Sequence, residues 1–179
     1  ISSPRRLLTI SKSSRWRINL GILLLNPLLI NLLFPLLPVG VAYLASEQNW
    51  GLLNNLQIPL VPAVIITVIL LDLTIYMQHV LFHAVPALWR LHMVHHADLN
   101  FDVTTGLRFH PIEIIISMLI KLSAVAALGA PALGVLLFEV ILNATSMFNH
   151  SNMYIPTGLD RIIRLFVVTP DMHRVHHSV

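Results

Sequence analysis

The chain has 179 residues, 56% hydrophobic and only 11% charged, with a mean hydropathy of +0.78, a composition too apolar for an ordinary soluble domain and expected of an integral membrane protein. It has no cysteine, which excludes disulfides, iron–sulfur clusters and c-type haem attachment. The formal charge of +3 and pI near 9.8 do not point to nucleic acid: the basic residues form no long run interleaved with aromatics, and membrane topology accounts for them.

Residues 1–18 carry Arg5, Arg6, Lys12, Arg15 and Arg17 among serines and read as a basic cytoplasmic tail lying against anionic lipid. Residues 19–179 are expected to form the membrane domain. Within it, residues 19–45 are long enough for one tilted or kinked span containing Pro27, Pro35 and Pro38. The stretch 58–77 is the clearest transmembrane helix and delivers His79 at its exit. The apolar region 111–148 is broken at Gly129-Ala130-Pro131, which predicts a helical hairpin with both ends on one side. The fold class expected is therefore all-α, a membrane bundle of about four spans in two hairpins. A segment at 159–168, apolar with Arg161 and Arg164 on one side, reads as an interfacial helix. Trp89 and Tyr154 read as interfacial anchors.

On this map ten of the eleven Lys and Arg residues fall on one face, Lys121 lies inside the membrane, and the opposite loop has none. By the positive-inside rule that face is cytoplasmic, in a bacterial inner membrane rather than endoplasmic reticulum. All ten histidines fall on it too. Six of them form two copies of one spacing, His92-x-x-His95-His96 and His173-x-x-His176-His177. Positions i, i+3 and i+4 share a helix face, so each triplet is expected to point three imidazoles at a single centre. His79 and His83, at i and i+4, do the same, and His110 and His150 complete the set. So many imidazoles without a thiolate suit first-row transition metals and exceed the needs of one ion. A histidine-lined cap holding two metals follows.

Ionisable groups inside a bilayer are costly and usually functional. Asp72, Tyr76, His79 and His83 share one helix face, as do Glu139, Asn143, Ser146 and His150, and His110, Ser117 and Lys121 fall on a third. Asp72, Tyr76, Asn143 and Asn149 are the candidates to support the ligands by hydrogen bonding, with plain helix packing the alternative. Lys121 and Glu139 are symmetric about Ala130 and are expected to form an ion pair. Two glycosylation sequons, at Asn143 and Asn149, are chance matches at membrane or cytoplasmic positions.

In Leu71-Asp72-Leu73-Thr74-Ile75-Tyr76, His79-x-x-x-His83, Trp89-Arg90-Leu91-His92-x-x-His95-His96, Arg108-Phe109-His110-Pro111, Phe148-Asn149-His150-Ser151 and His173-Arg174-Val175-His176-His177, the chain resembles the fatty acid hydroxylase / sterol desaturase superfamily of membrane di-iron oxygenases. Val80 stands where that superfamily often has Arg. The resemblance implies two iron ions, O2 as oxidant, an external electron donor (cytochrome b5-like, or a ferredoxin with its reductase), and hydroxylation or desaturation of a lipid C–H bond in a sterol, fatty acyl or related substrate. It also implies that His79, His83, His92, His95, His96, His150, His173, His176 and His177 are metal ligands. His110 is a further candidate, with capping of the helix at Pro111 as its rival role. Zinc could replace iron in isolated protein. The chain opens on Ile1 and stops two residues after His177, so it is expected to be a piece of a longer protein, truncated at the C-terminus.

A membrane zinc hydrolase is the main alternative, yet no His-Glu-x-x-His is present. A metal transporter should place its site near the midplane, whereas these histidines lie at the ends of spans. Bis-histidine haem needs a different geometry from i, i+3, i+4 triplets.

Overall fold

A computed structural model describes residues 11–98 and 100–178, and it is all-helical, as expected. Helix α1 (Lys12–Leu33) is followed by α2 (Pro38–Glu47), the short α3 (Leu52–Asn55), α4 (Leu60–Ala84), α5 (Pro86–His96), a 3₁₀ turn (Val103–Leu107), α6 (Pro111–Leu128), α7 (Ala132–Asn149), α8 (Thr157–Ile163) and α9 (Pro170–His176). Four segments are long and apolar enough to cross a membrane: residues 12–55 taken together, α4, α6 and α7.

Proline and glycine set the boundaries. The expected single span over 19–45 is two helices, because Pro35 cannot continue α1 and Pro38 starts α2 at its first position. Helix α4 is longer than the span expected at 58–77. It runs unbroken through His83, about 37 Å at 1.5 Å per residue, and stops where Val85 turns extended before Pro86. Gly129 ends α6 in the left-handed conformation (φ 63°) and Pro131 caps α7, giving the expected hairpin. Helix α8 is shorter than the segment expected at 159–168, and Leu165 and Phe166 beyond it are largely exposed.

Helices α4 and α7 pack side by side and both contact α6, while α2 lies against α6 and α7. The apolar core (Ala42, Leu53, Leu71, Val125, Val135 and Phe138 among others) occupies the end of the bundle remote from the histidines. There the backbones of Gly51 (φ 88°) and Gly129 touch, leaving no room for a side chain on either. On α7, Gly134 lets α4 approach so closely that a Cβ would lie 2.9 Å from Thr67 Cβ. Outward faces are apolar, with Leu24, Leu32 and Val61 more than two-thirds exposed, as lipid-facing surfaces require. Between α6 and α7, Lys121 Nζ donates to Glu139 Oε1 at 2.8 Å, the ion pair expected from their symmetric positions.

The N-terminal segment departs from expectation. Residues 1–10 of the expected basic tail lie outside the described residues, and residues 12–18 are not tail but the first two turns of α1. Arg15 faces inward, 4% exposed, with Nε and Nη2 each 2.7 Å from the Asp98 carboxylate and Nη1 2.8 Å from Asp102. A guanidinium with two carboxylate partners has no need of lipid headgroups.

Candidate metal centre

The ends of α4 and α7 meet α5 and α9 around nine imidazoles. His79 and His83 from α4, His92 from α5 and His176 from α9 form one group. His95 from α5, His150 at the end of α7, and His173 and His177 from α9 form the other. In each, one nitrogen per ring lies within 4.8 Å of the rest. His96 sits between them, its ring 4.8 Å from those of His83 and His176 and stacked on His177 at 4.2 Å.

Each triplet is thus divided, contrary to the expectation of three imidazoles on one centre. Positions three apart point about 60° to one side of each other and positions four apart about 40° to the other, so His92 and His176 reach the first group while His95, His173 and His177 reach the second. Both α5 and α9 serve both groups, and the His92 and His95 rings are 5.2 Å apart.

Second partners fix two tautomers. His150 Nδ1 donates to the Ser146 carbonyl at 2.8 Å, which leaves its Nε2 as a lone pair. That lone pair lies 3.1 Å from His95 Nε2 and 3.0 Å from His173 Nε2. His92 Nδ1 donates to Glu113 Oε1 at 2.7 Å, with both side chains buried, so its Nε2 is free to face the first group. There His79 Nε2 and His176 Nε2 are 3.0 Å apart.

Burial and neighbouring imidazoles hold His96 down to about 3. Burial, against the opposing Ser146 hydrogen bond, holds His150 at about 4. His95, His173, His176 and His177 are lowered as well, by burial first and by the other rings second. Neutral imidazole is the form that binds metal.

The residues fit two metal ions. His83 Nε2, His92 Nε2, His95 Nδ1 and both nitrogens of His96 and His177 are buried without a hydrogen-bond partner among the described residues, a concentration of unsatisfied groups that a cation would relieve. Nitrogens about 2.1 Å from one ion and at right angles to each other are about 3.0 Å apart, as the facing Nε2 pairs are. An all-imidazole donor set suits iron and zinc alike.

Aromatic rings close the flanks. Phe109 stacks on His95 (4.4 Å, 8°) and Phe101 on His150 (5.4 Å, 26°). Trp89, expected as an interfacial anchor, instead lies against His83 and His96, 5.1 and 5.2 Å away.

His110 joins neither group. It is the N-cap of α6, its Nδ1 accepting from Ile112 N at 3.1 Å, because the first-turn amides after Pro111 need an acceptor. Asp72 and Tyr76 are exposed on the outer side of α4 and make no hydrogen bond to the rings among the described residues. Asn143 is exposed too and donates to its own helix at Glu139 O. Asn149 is half-buried and makes no hydrogen bond to a ring among the described residues. The groups that hydrogen-bond these rings from outside are instead Glu113, on His92, and the Ser146 carbonyl, on His150. Glu113 had a visible signal, a carboxylate in the first turn of an apolar helix. A backbone carbonyl has none.

Compared with known proteins, the profile of the fatty acid hydroxylase family matches residues 64–179, from within α4 onward. The chain is also 31% identical over 123 residues, 68% of its length, to the ornithine lipid hydroxylase OlsE of Rhizobium tropici, and spans 36% of the length of that relative. No solved structure matches.

Proposed function

Because the chain belongs to the fatty acid hydroxylase family, we propose that it is the metal-binding part of a membrane lipid hydroxylase that uses O2 and two non-haem iron ions. The observation that carries this reading is the meeting of nine imidazoles in two adjoining groups at one end of an apolar bundle. His79, His83, His92 and His176 would hold one ion, and His95, His150, His173 and His177 the other, with His96 between them. Iron bound there would supply activation of dioxygen.

The protein's own residues set the conditions. Glu113 and the Ser146 carbonyl orient His92 and His150. Phe101, Phe109 and Trp89 keep water from the rings, which protects a reaction on an unactivated C–H bond from side reactions. No thiolate is present to be oxidised. Hydroxylation balances as one lipid C–H bond and one O2 converted, with two electrons and two protons, to C–OH and water. The electrons come from an external donor, a cytochrome b5-like protein or a ferredoxin with its reductase.

The substrate proposed is a polar lipid of the ornithine lipid kind, after the named activity of the relative. Its chain would enter from the bilayer, beside the apolar outer faces of α4 and α7, while electrons arrive from the aqueous side. Arg90, Arg108, Arg161, Arg164 and Arg174 all lie at the histidine end of the fold, which supports a cytoplasmic site in a bacterial inner membrane by the positive-inside rule.

Expression of the full-length gene with lipid profiling under 18O2 tests the proposal. One membrane lipid should gain a single labelled oxygen atom with the native chain and not with His95→Ala. Turnover that persists without O2 would refute it and favour a hydrolytic zinc site.

A further inference from the structure

Family resemblance begins within α4, so nothing in it assigns a role to α1. Yet two buried polar side chains on α1, Arg15 and Asn19, join a dense hydrogen-bond network outside the histidines. Arg15 grips Asp98 through Nε and Nη2 and Asp102 through Nη1. One turn on, Asn19, fully buried, donates from Nδ2 to Asp98 Oδ2 at 3.1 Å and to Thr104 Oγ1 at 2.8 Å. The two carboxylates also close the 3₁₀ turn: Thr105 Oγ1 donates to Asp98 at 2.9 Å, Thr104 N and Oγ1 donate to Asp102 at 2.9 and 2.6 Å, and Asp102 N donates to Thr105 Oγ1 at 3.1 Å.

Both ends of this network terminate on the second histidine group. Asp98 lies two residues after His96, just past the end of α5, and so anchors the turn of helix that presents His95. The 3₁₀ turn carries Gly106, whose backbone lies against the His150 ring so closely that a Cβ would come within 2.9 Å of Nδ1. One guanidinium therefore fixes both partners of the His95–His150 contact. The first group has separate support, through Glu113 on His92.

We infer that Arg15, with Asn19, is a positioning residue for the His95, His150, His173 and His177 group alone, so that helix α1 is an integral part of one of the two metal sites. This rests on the two-metal reading above. Replacing Arg15 by Met removes all three charge-assisted bonds and leaves Asp98 and Asp102 facing each other without a cation. Lys can supply the charge but not the two-pronged grip on Asp98.

The test is anaerobic titration of the metal-free full chain in detergent with Fe(II), reading stoichiometry and affinity for each ion. Native protein should bind two ions per chain. Arg15→Met should bind one with native affinity, the second weakened about 10- to 100-fold, with Arg15→Lys intermediate. Asn19→Ala, which leaves the ion pair in place, should weaken the same ion less and serves if Arg15→Met does not fold. Native protein that binds no iron would overturn the two-metal reading and this inference with it. Two ions in the native protein, and either both retained at native affinity or both lost together in the variants, would overturn this inference alone.

Discussion

Glu113 and His92 are joined by a 2.7 Å hydrogen bond between two buried side chains, 3% and 1% exposed, that come from the start of α6 and the last turns of α5. The carboxylate accepts the hydrogen bond from Nδ1–H and so aims the other nitrogen of the ring at the first histidine group. Glu113→Gln keeps an acceptor but loses the charge. We expect the first iron to bind about 10- to 100-fold more weakly while the second is unaffected, as read by Fe(II) titration. Unchanged affinity at both sites would show that Glu113 does not orient His92.

Lys121 and Glu139 face each other between two membrane helices. Lys121→Met strands a carboxylate in an apolar setting and should cost roughly 3 kcal/mol of stability, measured by unfolding in mixed micelles, with little change in iron content. Lys121→Met combined with Glu139→Leu should recover most of that loss, since neither charge is then left alone. Iron lost with stability intact would assign the pair to the metal site.

His110 caps α6 and stands outside both groups. His110→Ala should therefore cost about 1 kcal/mol, the usual effect of a lost cap, and leave two iron ions per chain. Loss of one ion in elemental analysis of this variant would restore it as a ligand.

The buried imidazoles outside the spans are held neutral, with His96 near 3 and His150 near 4, below the value of about 6.5 for an unfolded histidine. Between those values the unfolded chain takes up protons that the folded chain refuses, so stability is fully present above about 6.5 and falls as pH drops through the folded values. The metal-free protein should thus lose Tm steadily from pH 7 to pH 5, whereas in the folded chain protons compete with iron for these nitrogens only near the folded values of about 3 to 4. A flat Tm from pH 7 to pH 5 would contradict the burial of these rings.

Much of this was legible in the sequence because it is local. Helical spacing placed His79 beside His83, Gly129-Ala130-Pro131 marked the hairpin, and equal distances from Ala130 matched Lys121 with Glu139. What stayed hidden depends on distant partners or on which face turns inward. Arg15 sits in a basic stretch that looks like a tail, and its partners are 83 and 87 residues away. Asp72 and Tyr76 lie on one side of α4 with the histidines by periodicity, but a helix apolar all round gives no sign of which side meets its neighbours, and both turned out to be exposed. The division of each triplet between two groups reflects the angular spread within one helix face, about 60° between positions three apart, which treating the face as a single direction ignores.

Helix α9 contributes His176 to one histidine group and His173 and His177 to the other. During synthesis α4, α5 and α7 are made first, yet neither group can assemble until residues 173–177 have left the ribosome. Assembly of both is therefore a single late event, and a nascent chain arrested before α9 would present its other imidazoles as an open, half-built cage.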